Sequence, residues 1–344
     1  MNFGYREACL EHDPGEGHPE RPSRLRRIRR ALADRHGVEY AAPEPADRRE
    51  LLTVHDSGYI DAVESLAGAG GGRWDGDTVA NAATWTAARA SAGIARWVAL
   101  RALAGADGTE TPFGLGRPPG HHALSDDAMG FCFFNNAAIA AETVLRAGAD
   151  RVAIVDWDVH HGNGTQELFY DRGDVFYASV HETDLYPSTG RTEETGVGPG
   201  AETTLNVPLP GAAGDPGYRA AFAEAIGPAV VAFDPDVIVV SAGFDAHEND
   251  PISAVGVSTE GYARLAAAIR AVAADADAGL GFVLEGGYDL AALGDSVGRP
   301  LSGSRHRVAE RQTSQDGRAT RPGVLSGYAR RQRPAVRDPV IEIA

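Results

Sequence analysis

Two periodicities alternate along the chain. Over residues 23–36 (SRLRRIRRALADRH) the apolar positions Leu25, Ile28, Ala31 and Leu32 recur at helical spacing, behind Ser23 as a candidate cap and opposite a strongly basic face, which predicts a surface helix. Residues 82–103 are Ala-rich with Trp85, Ile94, Trp97, Val98 and Leu100 set among them, and residues 135–148 (NNAAIAAETVLRAG) repeat the pattern more briefly and stop at Gly148. Both stretches are expected to be helices, the second ended by a glycine that tolerates the left-handed cap. Between and after them lie short, wholly apolar runs at 152–155, 175–177, 237–240 and 281–284. Strands covered on both faces lose the in-and-out alternation, so this rhythm predicts an α/β fold of three α/β/α layers with a mostly parallel central sheet. In such sheets ligands gather beyond the carboxyl ends of the strands. Polar clusters follow three of the four runs at once: Asp156-Trp157-Asp158-Val159-His160-His161, Ser241-Ala242-Gly243-Phe244-Asp245 and Glu285-Gly286-Gly287-Tyr288.

No internal repeat is visible, but the end of the chain changes character. Residues 299–344 hold ten Arg against four Asp and Glu and lack sustained periodicity apart from a short PVIEI. The expected organisation is a catalytic domain over 1–298 and an Arg-rich tail over 299–344, either disordered or the product of a shifted reading frame.

Composition narrows the chemistry. With 344 residues, 43% of them apolar and 23% charged, one large α/β domain with an ample core is expected. All 32 basic residues are Arg, so a phosphate-cradling loop with its Lys and Schiff-base chemistry are both excluded. A net charge of -16 argues against direct nucleic-acid binding. An acidic body attracts cationic substrates such as polyamines or basic tails, although solubility is the plainer explanation. Cys9 and Cys132 form neither a disulfide framework nor a CxxC pair, which fits a reducing compartment. The opening MNFGYREACLEHD has no apolar leader core, and no run reaches the roughly 18 residues of a membrane span, so a cytoplasmic protein with no membrane partner is expected. Nothing indicates an oligomeric state.

The strongest local signal is VAIVDWDVHHGNG (152–164). Asp156, Asp158 and His160 share parity, so in extended chain they project to one side, and carboxylate with imidazole is a ligand set that suits zinc. Asp245 offers a third ligand from a second strand end, and three protein ligands with an open fourth position describe a catalytic zinc. An isolated DxDxH also caps helices and fills polar loops, so the motif alone leaves both readings open. In RPPGHHA (117–123), His121 and His122 beside a metal water can divide the work of general base and electrostatic partner, with Asp156 and Asn163 as available orienters. In EGGYDL (285–290), the glycines allow a sharp turn that presents Tyr288, whose phenol can donate to a developing oxyanion. The alternative there is a turn followed by a packed Tyr.

The ordered set HPERPSR (18–24), RPPGHHA (117–123), GFCFFNN (130–136), DVHHGNGTQ (158–166), SVH (179–181), YPSTG (186–190), NVPL (206–209), GFDAHENDP (243–251) and EGGYDL (285–290) resembles the histone deacetylase and acetylpolyamine amidohydrolase family, from about His18 to Gly298. The resemblance implies an arginase/deacetylase-like fold and a zinc-dependent amidohydrolase that removes acetyl groups from acetylated lysine or from acetylated polyamine or another small amine. It implies zinc ligands Asp158, His160 and Asp245, His122 as general base and acid, His121 as its electrostatic partner held by Asp156, and Tyr288 polarising the acetyl carbonyl. Phe131 and Tyr186, with Gly130 beside them, would flank the substrate tunnel, and Ile252 would sit at its rim. Asp156, Asp158, His160, Ser179 and Val180 match a monovalent-cation site, read as potassium, and Arg24 matches an arginine that escorts acetate out. Asn163 stands where class I members carry Asp, which places the chain nearer the class II and bacterial acetylpolyamine branch and removes a carboxylate from His122. The alternatives are an arginase-like ureohydrolase, which needs two manganese ions, and a non-catalytic or impaired paralogue that only binds acetylated amines.

Overall fold

The short strands come first along the chain: β1 (Asn2–Gly4), β2 (Glu39–Ala41), the hairpin pair β3 (Gly71–Arg73) and β4 (Val79–Asn81), and β5 (Phe113–Gly114). The longer ones follow: β6 (Val152–Asp156), β7 (Val175–Glu182), β8 (Thr204–Leu209), β9 (Val237–Ala242) and β10 (Gly279–Leu284). In this computed structural model, which describes residues 2–105 and 111–298, eight of them form one sheet in the order β2-β1-β5-β10-β9-β6-β7-β8, every pairing parallel. The tail expected over 299–344 lies outside the described residues.

The helices are α1 (Ser23–Leu32), α2 (Arg48–Leu51), α3 (Ser57–Gly68), α4 (Thr84–Ala104), α5 (Asn136–Arg146), α6 (Asn163–Phe169), α7 (Asp215–Ala220), α8 (Gly227–Phe233), α9 (Thr259–Asp275) and α10 (Leu290–Gly298). They cover both faces of the sheet, because the inner strands are apolar on both sides. Ala153 and Val155 of β6, with Ile238 and Val240 of β9, pack in one cluster with Leu25 and Ile28 of α1 and Leu265 and Ile269 of α9. Val152 and Ile154, with Val237 and Val239, pack in the other with Val98 of α4 and Val144 of α5. The period of two that a half-exposed strand shows as apolar and polar here separates two apolar layers.

Two details of α1 differ from the sequence expectation. Ser23 is the first helical residue rather than a cap, with Pro22 before it, and its buried hydroxyl has no hydrogen-bond partner. Arg24 does not join the exposed basic face but is fully buried. α5 does carry its cap: the Asn135 side chain accepts from Ala138 N–H, and the helix ends just before Gly148, at φ +104°.

Register places the site. Asp156 pairs with Ser179 on one side and Ser241 on the other, and Leu284 pairs with Ala242, so β6, β9 and β10 run out at one level. The polar clusters that follow them therefore emerge along one edge of the sheet.

Candidate active site

Asp158 and His160, two and four residues beyond the end of β6, meet Asp245, three beyond the end of β9: one ligand atom from each lies within 4.8 Å of the others, and all three side chains are buried. Backbone N–H groups fix the carboxylates. Asp158 Oδ1 accepts from His160 N–H (2.9 Å), Asp158 Oδ2 from Gly286 N–H (2.9 Å), and Asp245 Oδ1 from Val159 N–H (3.0 Å). Asp245 Oδ2 is buried with no hydrogen bond, although His160 Nδ1 stands 3.3 Å away. Burial opposes a charge on His160, yet the bond to Asp158 and the nearby Asp245 and Asp158 charges outweigh it and draw the imidazole up to about 10. Two buried carboxylates, one with an orphaned oxygen, thus call for positive charge at this point, and an imidazole with two carboxylates is a donor set that fits zinc. Gly286 leaves the room: a Cβ there would overlap the Asp245 carboxylate and stand 2.7 Å from Asp158 Oδ2.

The histidine pair lies on the same side. His121 Nδ1 meets Asp156 Oδ2 at 2.9 Å, and His122 Nδ1 meets Asn163 Oδ1 at 2.8 Å. Their environments pull them apart. Burial disfavours the charged form of both, but Asp156 and Asp158 hold His121 up at about 10. For His122, burial and then the charges of His121 and His160 push it well below the usual imidazole range, with Asn163 opposing only in part. An amide oxygen can only accept, so His122 carries its proton on Nδ1 and keeps the Nε2 lone pair free. One charged and one neutral imidazole, with ring centroids 4.1 Å apart, form a graded proton site.

Tyr288 is held from behind. Asp250 Oδ2 accepts from the backbone N–H groups of Tyr288 (2.6 Å) and Asp289 (2.8 Å), and the Arg24 guanidinium lies 5.0 Å from the Tyr288 ring centre. Arg24 Nε donates to Gly287 O (2.7 Å) and its NH2 group donates to Glu285 O. Phe131 meets the Tyr288 ring edge-on at 5.9 Å, and Tyr186 meets His122 at 5.2 Å and His160 at 6.4 Å. Phe131 adopts φ +70°, unfavourable for a bulky residue, and is kept there by Thr78 Oγ1 on its N–H (3.2 Å) and by the His18 ring at 4.7 Å. Gly130, at φ +54°, lies against the His122 ring. Ile252 is half-buried against the main core, and its N–H bonds Asp250 Oδ1 (3.2 Å). Ser179 and Val180 lie on β7 beside the end of β6, Ser179 in register with Asp156.

Several residues of this centre were not singled out from the sequence. Asp250 is one. Glu20 and Arg117 are others: both are fully buried, Arg117 NH2 donates to Glu20 Oε2 (2.7 Å), and Glu20 also bonds Arg24 (3.2 Å). Burial penalises the Glu20 charge, but Arg117 and then His12 outweigh it and hold the carboxyl well below its usual range. The available signal was the presence of Glu20 in HPERPSR and Arg117 in RPPGHHA, charged residues inside motifs that otherwise supply the site. A separate apolar groove, lined by Phe222, Val231, Leu265 and Val272, holds none of these side chains.

The sheet-edge arrangement defines the class, an α/β protein with a buried carboxylate and imidazole ligand set at its strand ends. Comparison with known proteins then gives the family. The sequence model for the histone deacetylase domain matches residues 18–303. The histone deacetylase-like amidohydrolase of Pseudomonas aeruginosa is 39% identical over 336 residues, 90% of this chain and 87% of that protein. Among solved structures, the HD domain of HDA15 is 37% identical with a TM-score of 0.83, covering 88% of this chain and 90% of that one. The acetylpolyamine aminohydrolase of Burkholderia pseudomallei is 31% identical with a TM-score of 0.78, covering 88% and 97%. The chain belongs to the histone deacetylase family, and is a hydrolase of the deacetylase and amidohydrolase type.

Proposed function

We propose that this protein is a zinc-dependent deacetylase that hydrolyses the acetyl amide of acetylated lysine, or of acetylated polyamine or another small amine, to acetate and the free amine. The observation that carries the reading is the junction of the Asp158, His160 and Asp245 set with a neutral His122 whose Nδ1 is capped by Asn163. Asp158, His160 and Asp245 would hold zinc, which when bound would supply a Lewis acid to acidify a water and polarise a carbonyl. His122 Nε2 takes the proton of the attacking water and returns it to the leaving amine nitrogen as the C–N bond breaks. His121, kept charged by Asp156, adds positive potential beside it and biases His122 to the neutral form needed at the start. The Tyr288 phenol donates to the carbonyl oxygen as negative charge develops on it. Phe131 and Tyr186 flank the entering chain, with Gly130 beside them and Ile252 at the rim. Arg24, beneath Tyr288, suits escort of the acetate. A potassium ion among Asp156, Asp158, His160, Ser179 and Val180 completes the reading, supported by the Asp156 and Ser179 register.

The similarity to an acetylpolyamine aminohydrolase favours small acetylated amines, and that to the HD domain of HDA15 favours acetyl-lysine. Both offer the same reacting end, so no more than a weak preference is expected. An arginase-like reaction is less well supported, because among the described residues one three-donor group has metal-ligating geometry and that chemistry needs a second metal. Cytoplasmic location is supported by buried, free Cys9 and Cys132; among the described residues no helix is long and apolar enough to cross a membrane. Metal analysis of the purified protein, with turnover of a fluorogenic acetyl-lysine and of an N-acetylated diamine, tests the reading. One zinc per chain and release of acetate are expected; folded, metal-loaded protein that releases none refutes it.

A further inference from the structure

Glu285 is fully buried and belongs to none of the roles above. Its N–H bonds Ala242 O (3.1 Å), which ties it to the ends of β9 and β10. Its side chain crosses to the other catalytic loop: Oε2 accepts from Gly120 N–H (2.7 Å) and His121 N–H (3.2 Å), and Oε1 accepts from Ser241 Oγ–H (3.2 Å). We propose that Glu285 is a positioning residue for the hydrolysis, setting the His121 and His122 turn at its height above the zinc ligands by accepting the two backbone N–H groups that open that turn. The inference rests on the deacetylase reading for its kinetic consequence, but its structural content stands without it.

The geometry leaves those amides one acceptor. The loop is already held at Pro118 O by Ser91 Oγ–H (2.9 Å) and Asn136 Nδ2–H (3.1 Å), and at His121 O by Thr165 N–H (3.1 Å). Among the described residues it is Glu285 that accepts from the N–H groups between those two anchors, and a buried N–H left without an acceptor is unfavourable. The turn would then shift toward whatever acceptor it could find, carrying both imidazoles with it. One strand end thus fixes two catalytic parts: residue 285 holds the histidine turn, and residues 286–288 contact Asp158 and present Tyr288.

Burial raises Glu285 to about 7 against the pull of the His121 charge. The positioning role survives either state. When protonated, the carbonyl oxygen still faces the two amides while the O–H turns to Ser241 Oγ. A Gln has the same shape, with its amide oxygen on Gly120 and His121 and its NH2 on Ser241. An Asp keeps the charge but withdraws the oxygens by about 1.5 Å, the length of one C–C bond, and loses the contact.

The test therefore compares E285Q, E285D and E285A, each metal-loaded, by steady-state kinetics on a fluorogenic acetyl-lysine and by amide hydrogen exchange at Gly120 and His121. E285Q is expected to lose about three- to tenfold in kcat and to keep both amides protected. E285D and E285A are expected to lose on the order of 10²-fold in kcat with KM within about threefold and zinc content unchanged, the size expected when a reacting group is misplaced by about 1 Å. Exchange of the two amides is expected to speed up about tenfold or more in both. A destabilised fold alone would speed exchange throughout the domain rather than at these two amides, and would lower the folded fraction rather than the kcat of the folded enzyme. Folded E285D with wild-type kcat and wild-type exchange overturns the proposal, as does E285Q impaired as deeply as E285D, since charge rather than reach would then matter. If E285A does not fold, the Gln and Asp pair decides alone. If the wild-type protein deacetylates nothing, the function proposed above fails while the exchange result still tests Glu285.

Discussion

Gly130→Ala gives a sharp test of the proposed role of His122, because the structure supplies its own control. Gly130 has φ +54° and Gly198 φ +55°. Alanine at either position pays the same backbone penalty, about 1–2 kcal/mol for an L-residue in the left-handed region. Around Gly198 an added methyl meets nothing within 4 Å; at Gly130 it would stand 2.8 Å from His122 Cγ and 3.1 Å from Nε2, and nearer still to Cδ2. Carbon atoms settle at about 3.5–4.0 Å, so the His122 ring or the Gly130 backbone must retreat by about 1 Å. A reacting group misplaced by that much costs roughly 10²-fold in rate. Gly198→Ala should therefore melt a few degrees lower through the backbone penalty alone, and Gly130→Ala lower again because the overlap with the His122 ring adds an overpacking cost. Only Gly130→Ala should lose kcat, by about 10²-fold, with zinc retained. Melting curves, metal content and kcat on a fluorogenic acetyl-lysine decide it. If Gly130→Ala keeps kcat within threefold of Gly198→Ala at equal zinc content, the placement of His122 does not limit the reaction and its role as proton carrier falls.

Tyr288→Phe should keep its zinc and lose about 10²-fold or more in kcat, since only the donor to the oxyanion is removed; a loss of less than a few fold would reduce Tyr288 to packing. Asp158→Ala should abolish both zinc and activity, and an unchanged zinc stoichiometry by metal analysis would break the ligand assignment. The acid stability of the fold should depend on His55, which is buried: its Nδ1–H donates to Leu124 O (2.8 Å) and its Nε2 accepts from Asn135 N–H (2.9 Å), a pairing open only to the neutral ring. Burial pushes His55 down from 6.5 to about 4, so the unfolded chain takes up this proton first and stability should fall as pH drops through that window, by up to about 3 kcal/mol. Denaturant unfolding at pH 7 and pH 4.5 should show this loss in the wild type and less of it in His55→Gln; equal losses would refute the assignment.

Much of this protein was legible in the order of its residues. The Ala-rich stretches that became α4 and α5, and the apolar runs that became the cores of β6, β7, β9 and β10, were readable because each carries its own period or length. The short strands β1, β2 and β5 were not. Two or three residues contain no period, and Phe113 and Gly114 are a strand only because β1 and β10 lie on either side. The candidate ligands and proton carriers could be named from their motifs, since Asp158, His160, Asp245 and Tyr288 directly follow apolar runs. Their meeting could not, because it depends on β6, β9 and β10 ending at one level. The supporting charges were the least visible. By periodicity Arg24 reads as one more arginine on a basic helix; the resemblance alone set it apart, and the packing of α1 shows it buried beneath Tyr288. Glu20, Arg117, Asp250 and Glu285 take their roles from partners 38 to 165 residues away, across distances that only the folded sheet closes. A side chain's chemistry is written in its own residue, whereas its burial and its partners belong to the whole chain, and these decide whether a carboxylate is solvated surface or part of a reacting centre.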